Sequence, residues 1–162
     1  MREMRLYSEE QRNKTLLNLA LASSSLIIDQ VSKIFVLKNL PFGVSFPVIN
    51  GFLYFTLTEN RGIAFGALSA FNSLFLSLLS LAIVILLLFF WQEHSSYLYL
   101  VVGGALGNIL DRIRLGFVVD FIHIRFWPVF NIADVFIFLG VVLTLISAIK
   151  NKGGEENASH SI

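Results

Sequence analysis

The chain contains no cysteine, so disulfides, thiol catalysis, cysteine-ligated metals and S-acylation of the protein itself are excluded, and the redox compartment is left undetermined. Charge is also scarce: Asp, Glu, Lys and Arg make up 14% of 162 residues, with a net charge of +1. Nucleic-acid binding by counterion release needs a dense basic patch, and the sequence has none, so neither nucleic acid nor a strongly acidic partner is expected. No G-x-S-x-G or H-E-x-x-H string occurs. Ser32 and Lys33 cannot form a dyad, because consecutive helical residues point in different directions. His123 has no second ligand at a metal-like spacing, since His94 and His160 lie in other parts of the chain; neither a metal nor another cofactor is expected.

What is abundant is apolar. The chain is 56% hydrophobic with a mean hydropathy of +0.74, far above a soluble domain of this length. This places the chain in a membrane as a single integral domain. Four segments read as spans, 16–37, 68–91, 97–110 and 129–149, leaving outer loops over 38–67 and 111–128. The second would cover roughly 36 Å and the third only about 21 Å, against a hydrocarbon core of ~30 Å. The third therefore has to reach into the interfaces, drawing Asn108, Asp111 and Arg112 to the membrane boundary. "QEHSS" is a tight turn between spans two and three. Asp29 and Lys33 interrupt the first segment and no cleavage site follows it, so it reads as a retained span and not a signal peptide. Lys and Arg are nearly balanced between the two faces; the basic segment before the first span places both termini in the cytoplasm. The tail over 151–162 is polar and reads as disordered.

This topology brings the polar residues together. The end of span one (Asp29, Lys33), the end of span three (Asn108, Asp111, Arg112) and the start of span four (Asn131, Asp134) share one face, where the loops add Asn60, Arg61 and Asp120. Ionisable groups in a membrane cost ~2.5 to 3.5 kcal/mol each at its centre and usually line a pathway or site. The first outer loop is rich in strand formers around Asn50-Gly51, a hairpin signal, and Gly62 and Gly66 permit tight bends near Asn60. The second contains "GFVVDFIHI", an apolar run with a single acid that reads as semi-buried. The fold class is thus mostly α, four transmembrane helices with a small β-rich extracytoplasmic subdomain in the first outer loop.

Each motif has a structural explanation beside the functional one. Asp29 and Lys33 stand at i, i+4 in the favourable order for an ion pair that braces a helix. Gly103 and Gly107 form a small-x-x-x-small packing pattern. Asn131 suits an N-cap with Asp134 at N3, but a second acid, Asp120, with Asn108 and Arg112 at the same pole, exceeds what capping needs. Two carboxylates sharing a proton can hydrolyse a peptide without a covalent intermediate, one as base on water and the other as acid.

"DQVSK" at 29–33, "NRGIAFG" at 60–66, "GNILDR" at 107–112, "VVDFI" at 118–122 and "FNIAD" at 130–134 appear in that order. Together they resemble bacterial lipoprotein signal peptidase (signal peptidase II), a family of membrane aspartic proteases. The resemblance implies catalytic Asp120 and Asp134, substrate-binding Asn60, Asn108, Arg112 and Asn131, and structural support from Asp29, Lys33, Gly62, Asp111 and Ala133. Asp111 would hold polar neighbours such as Arg112 in place. The implied substrate is a diacylated prolipoprotein cut just before its lipidated lipobox cysteine. The implied partners are membrane lipids and globomycin-like inhibitors, and the implied setting is the bacterial inner membrane, as a monomer. "HIRFW" between the two aspartates is compact, which narrows the substrate-facing part of the site. The rival readings are a small proton-coupled transporter, which predicts acids near the midplane and broken helices, and an assembly protein, which needs no second acid opposite Asp134.

Overall fold

The computed structural model describes residues 2–62, 73–91 and 95–159. The start of the expected second span, Gly66 with most of "NRGIAFG", the first part of "QEHSS", His94 and His160 lie outside the described residues. Four helices and three strands follow in the order α1 (Arg2–Asn39), β1 (Ser45–Ile49), β2 (Leu53–Asn60), α2 (Ser73–Trp91), α3 (Leu98–Leu115), β3 (Val118–Ile124) and α4 (Ile132–Ser159). Among the described residues, α1 over Leu6–Asn39 and α4 over Ile132–Lys150 are long and apolar enough to cross a membrane; Phe75–Phe90 of α2 is a shorter apolar helix.

The molecule is inverted relative to a water-soluble protein. Phe89 is 76% exposed and Ile149 72%, whereas Asp29 and Asn131 are 0%, Lys33 1% and Asp120 2% exposed. Large apolar side chains left outside and charges taken inside are favourable when the surroundings are lipid. On α1 the buried stripe is Ser25, Asp29, Lys33 and Val36, a helical spacing that turns polar groups inward and leaves Ile27, Ile28, Val31 and Phe35 outside.

Helix α3 packs against α1, α2 and α4. Its glycines make that possible: a Cβ on Gly103 would collide with the Ala22 backbone and the Ser25 side chain, and one on Gly107 with the Asp29 carboxylate. A Cβ on Gly104 would lie 2.6 Å from the Ala133 carbonyl oxygen of α4. The sequence pattern of Gly103 and Gly107 is therefore one face of a two-sided contact. α3 also runs past Leu110, where the apolar segment ended, to Leu115. Asp111 and Arg112 find partners inside the bundle, so the helix need not stop at them; it stops at Gly116, whose φ of 83° closes the last turn with an N–H donated to the Arg112 carbonyl at 3.1 Å. Eighteen residues give roughly 27 Å, longer than the segment read from sequence.

The three strands form one antiparallel sheet in the order β1-β2-β3. The hairpin at Asn50-Gly51 is present, with Gly51 at φ 78° and the Phe52 N–H donating to the Ile49 carbonyl at 3.0 Å. The third strand is the difference from the sequence reading: "VVDFIHI" in the second connection joins the sheet, which is thus shared between both loops. A continuous apolar run shows no period that separates strand from buried coil, and its partner is far away in sequence. Val36, Leu57, Val119 and Phe121 form the core beneath the sheet, tying it to the end of α1. The tail read as disordered continues α4 through Ser159, since extending a formed helix costs less than starting one.

Candidate active site

Sheet register delivers the first acid. Thr58 faces Asp120 across the β2–β3 pair and Asn60 faces Val118, so Asn60 and Asp120 are diagonal neighbours on one face. Asn60 Nδ2 donates to Asp120 Oδ2 at 2.8 Å. After β3 the chain folds back at once: the Trp127 N–H donates to the Ile124 carbonyl at 2.8 Å, and Phe130 exchanges backbone hydrogen bonds with Ile122 at 2.8 and 3.0 Å. That tight return is the compact "HIRFW" segment, and it sets Asn131 beside Asp120, with Asn131 Nδ2 donating to Asp120 Oδ1 at 2.6 Å.

Helix α4 delivers the second acid through its cap. The Asp134 N–H donates to Asn131 Oδ1 at 3.0 Å, and the Asn131 N–H donates to Asp134 Oδ2 at 3.1 Å, a reciprocal capping pair. On α3, Asn108 Nδ2 donates to Asp134 Oδ1 at 2.9 Å. Asn131 Nδ2 reaches Asn108 Oδ1 at 3.2 Å, so one amide network joins the two carboxylates. The amide ends follow from their partners. A backbone N–H cannot accept, so the Gly62 N–H on Asn60 Oδ1 (3.0 Å) and the Asp134 N–H on Asn131 Oδ1 turn both NH2 groups toward Asp120.

Two further acids stand behind this pair. Lys33 Nζ lies 2.9 Å from Asp29 Oδ2, the expected i, i+4 pair, and also 2.8 Å from Asp111 Oδ2, binding α1 to α3. Asp29 Oδ1 accepts the Ala133 N–H at 2.9 Å and Asp111 Oδ2 the Val119 N–H at 3.2 Å. Gln30 Nε2 donates to Asp29 Oδ2 and Asp111 Oδ1, both at 3.1 Å, while its Oε1 accepts from Arg114 at 3.2 Å. The polar neighbours that Asp111 holds are thus Lys33, Gln30 and the β3 backbone. Arg112 donates to the Gly62 carbonyl at 3.2 Å, and its charge faces Asp134, Asp120 and Asp111.

A cavity of about 680 Å³ divides the four acids: Asp120 and Asp134 line it, and Asp29 and Asp111 do not. Asp120, Asp134, Asn60, Asn108, Arg112 and Gly62 line one end of it. The wall formed by the helices is largely apolar, with Ile83, Val84 and Leu87 of α2, Val101 and Ala105 of α3, and Ile137 and Val141 of α4. Asn131, fully buried, holds the carboxylates from behind. Burial, and then the nearby charge of Asp134, push the Asp120 carboxyl up to about 7, against the opposing effects of its bonds from Asn60 and Asn131 and of Lys33. A buried carboxyl that holds a proton near neutral pH beside a second carboxyl is the arrangement an acid–base pair requires. His123 instead pairs with Thr56 Oγ1 at 3.1 Å.

Sequence reading passed over Gln30, and marked the "HIRFW" segment without singling out Trp127. An amide inside an apolar span was the available signal for Gln30, because such a group must find partners in the bundle. Trp127 lines the cavity beside Pro128 and Val129, and only the chain reversal after β3 puts it there.

Comparison with known proteins shows the family. The family model described as signal peptidase (SPase) II matches residues 21–150. The lipoprotein signal peptidase of Syntrophomonas wolfei subsp. wolfei is 41% identical over 135 residues, covering 80% of this chain and 91% of the relative. That of Moorella thermoacetica is 42% identical over 131 residues, covering 77% and 87%. That of Caldanaerobacter subterraneus subsp. tengcongensis is 44% identical over 124 residues, covering 72% and 84%. A solved structure described as a bacterial membrane enzyme, obtained by the in meso method, has a TM-score of 0.75 at 34% identity and covers 85% of this chain and 90% of its own. A second of the same description has a TM-score of 0.70 at 34% identity, covering 82% and 92%. With a match that takes in the helical bundle and the sheet alike, the chain belongs to the signal peptidase II family, as a lipoprotein-processing aspartic protease of the membrane.

Proposed function

We propose that the chain removes the signal peptide from diacylglyceryl-modified prolipoproteins, cleaving just before the lipidated cysteine, with Asp120 and Asp134 as the catalytic pair. The observation that carries this is the cavity itself: two carboxylates share its polar end, and an apolar slot between α2, α3 and α4 leads away from them. A substrate joined to lipid has both parts, a scissile amide and hydrocarbon. Asp120 holds the proton and donates it to the carbonyl oxygen while Asp134 takes one from the attacking water. As the resulting diol collapses and the C–N bond breaks, Asp134 passes its proton to the departing amine and Asp120 takes back a proton from a diol hydroxyl, so the pair ends as it began. Asn60, Asn108 and Asn131 aim N–H groups at the carboxylates, and Arg112 supplies positive charge at the same end. Asp29, Lys33, Asp111 and Ala133 support this frame from outside the cavity, and Gly62 supports it from the cavity wall.

In this reading all four helices span the bilayer as one domain, with both termini cytoplasmic and the sheet on the outer surface. The exposed Phe46, Val48, Phe52 and Phe126 of the strands and their turns suit contact with an interface. The enzyme acts as a monomer, and globomycin-like peptides would occupy the same cavity. The decisive experiment is reconstitution of the purified chain with a diacylated lipobox peptide. Cleavage before the cysteine is the expected result, and the intact peptide with proton-coupled counter-transport would replace this reading by that of a transporter.

A further inference from the structure

We propose that Lys33 is a positioning residue for the catalytic pair: its ammonium fixes which end of the Asn108 amide faces Asp134. The proposal rests on the paired-aspartate reading. An ammonium has three donors and no acceptor. Lys33 directs them to Asp29 Oδ2 at 2.9 Å, Asp111 Oδ2 at 2.8 Å and Asn108 Oδ1 at 2.9 Å. The first contact lies within α1, and the second and third both tie α1 to α3. Bracing needs no particular atom of Asn108, yet the third contact falls on Oδ1, the atom whose placement decides which end of the amide faces Asp134.

With its oxygen held by Lys33, Asn108 can offer Asp134 only its NH2 group, and Nδ2 does lie 2.9 Å from Asp134 Oδ1. A donor there suits a carboxylate, which only accepts. If the amide turned over, its oxygen would face Asp134, and only a protonated carboxyl could bond to it. The other donor to Asn108 Oδ1 is Asn131 Nδ2, which is longer at 3.2 Å and shared with Asp120 at 2.6 Å, so by itself it holds the amide less firmly. The charged groups around this contact are Asp29 on α1, Asp111 and Arg112 on α3, Asp120 on β3 and Asp134 on α4, with Arg114 turned away to Gln30. Among the described residues, no residue of α1 lines the cavity, yet α1 sets the hydrogen-bond polarity of the base within it.

The test is the pH dependence of cleavage of a diacylated lipobox peptide, per folded molecule, by Asp29→Asn/Lys33→Gln. This double variant keeps the net charge of the Asp29–Lys33–Asp111 group, while Gln at 33 can donate or accept and no longer dictates the amide. The acid limb of kcat should move to higher pH by roughly one unit or more, with KM unchanged, because the base loses a donor to its ionised form. Asp29→Asn alone keeps Lys33 and removes one negative charge, so its limb should not move to higher pH. A purely structural role lowers the folded fraction and leaves the limb in place, which would overturn the proposal. Should that double variant not fold, Asp111→Asn/Lys33→Gln conserves the same net charge and likewise frees the Asn108 amide; the limb should again move to higher pH, and an unmoved limb overturns the proposal. Failure of the underlying reading is seen separately, as absence of cleavage by the wild-type chain, and removes this proposal with it.

Discussion

Asp120 and Asp134 differ in surroundings although they are the same chemical group. Asp134 sits at the start of a helix and accepts a backbone N–H, whereas Asp120 lies on a strand and is fully enclosed. Asp120→Asn and Asp134→Asn should each leave an inserted, folded protein that binds lipidated peptide but has lost nearly all turnover, because Asn keeps the size and cannot exchange a proton. The double variant should be little worse than either single one, since groups that act as a unit are not additive. Single-turnover cleavage by equal amounts of folded enzyme checks this, and near-wild-type rates from either variant would sink the assignment. Asp111→Asn should retain measurable turnover at lower stability, because its contacts are to Lys33, Gln30 and backbone. Asp120 also couples pH to stability. Its folded value is raised to about 7, so its contribution is fully present below the unfolded value near 4 and is lost as pH rises through 7. Asp120→Asn removes that loss: its melting temperature should exceed the wild type's at pH 8, by roughly 2 to 4 °C for each kcal/mol recovered, and the gap should close toward pH 4.

Among elements, α3 carries the tightest constraint, because three of its glycines meet backbone or carboxylate from two neighbours. Gly103→Val would force a branched side chain into the Ala22 backbone of α1, which cannot yield as a flexible side chain can. Overpacking of this kind costs about 1 to 3 kcal/mol, so thermal unfolding in detergent should show a clear loss; an unchanged melting temperature would mean that α1 and α3 are not in this contact. Gly116→Ala meets no atom within 4 Å, but places a side chain at φ +83°, and should cost less. These local devices were legible in the sequence. The Asn131–Asp134 cap, the Asn50-Gly51 hairpin and the Asp29–Lys33 pair all lie within a few residues, where spacing alone decides geometry. What was not legible is long in range: the pairing of β3 with β2, the reach of Lys33 to Asp111 and Asn108, and the place of Gln30 all depend on which helix faces which. Asp111 and Arg112 looked like the end of a span because their polarity was visible and their partners were not.

The whole molecule sorts its groups by depth and by face. A lipid-joined substrate needs little diffusion to find the site, since its hydrocarbon and the apolar slot share one solvent and only the scissile bond has to be oriented. Such orientation needs the sheet, the carboxylates and the cavity mouth at one membrane surface, and the proposed topology puts them on the outer one. The natural absence of cysteine makes this directly measurable. Ser45 begins β1 and is bonded to Thr56 at 2.8 Å, on the same sheet that carries Asp120. Lys14 lies on α1 more than 20 residues before its end at Asn39, so roughly 37 Å separates the two along the helix axis, enough to put them on opposite surfaces. Ser45→Cys should therefore react with a membrane-impermeant maleimide in intact cells, and Lys14→Cys only after the membrane is opened. Because both sites are on surface-facing segments away from the cavity, both variants should also cleave the lipidated peptide, which ensures that the labelled molecules are correctly folded ones. Labelling of Ser45→Cys only from the cytoplasmic side would invert the topology and place the carboxylates where an exported substrate's cleavage site does not reach.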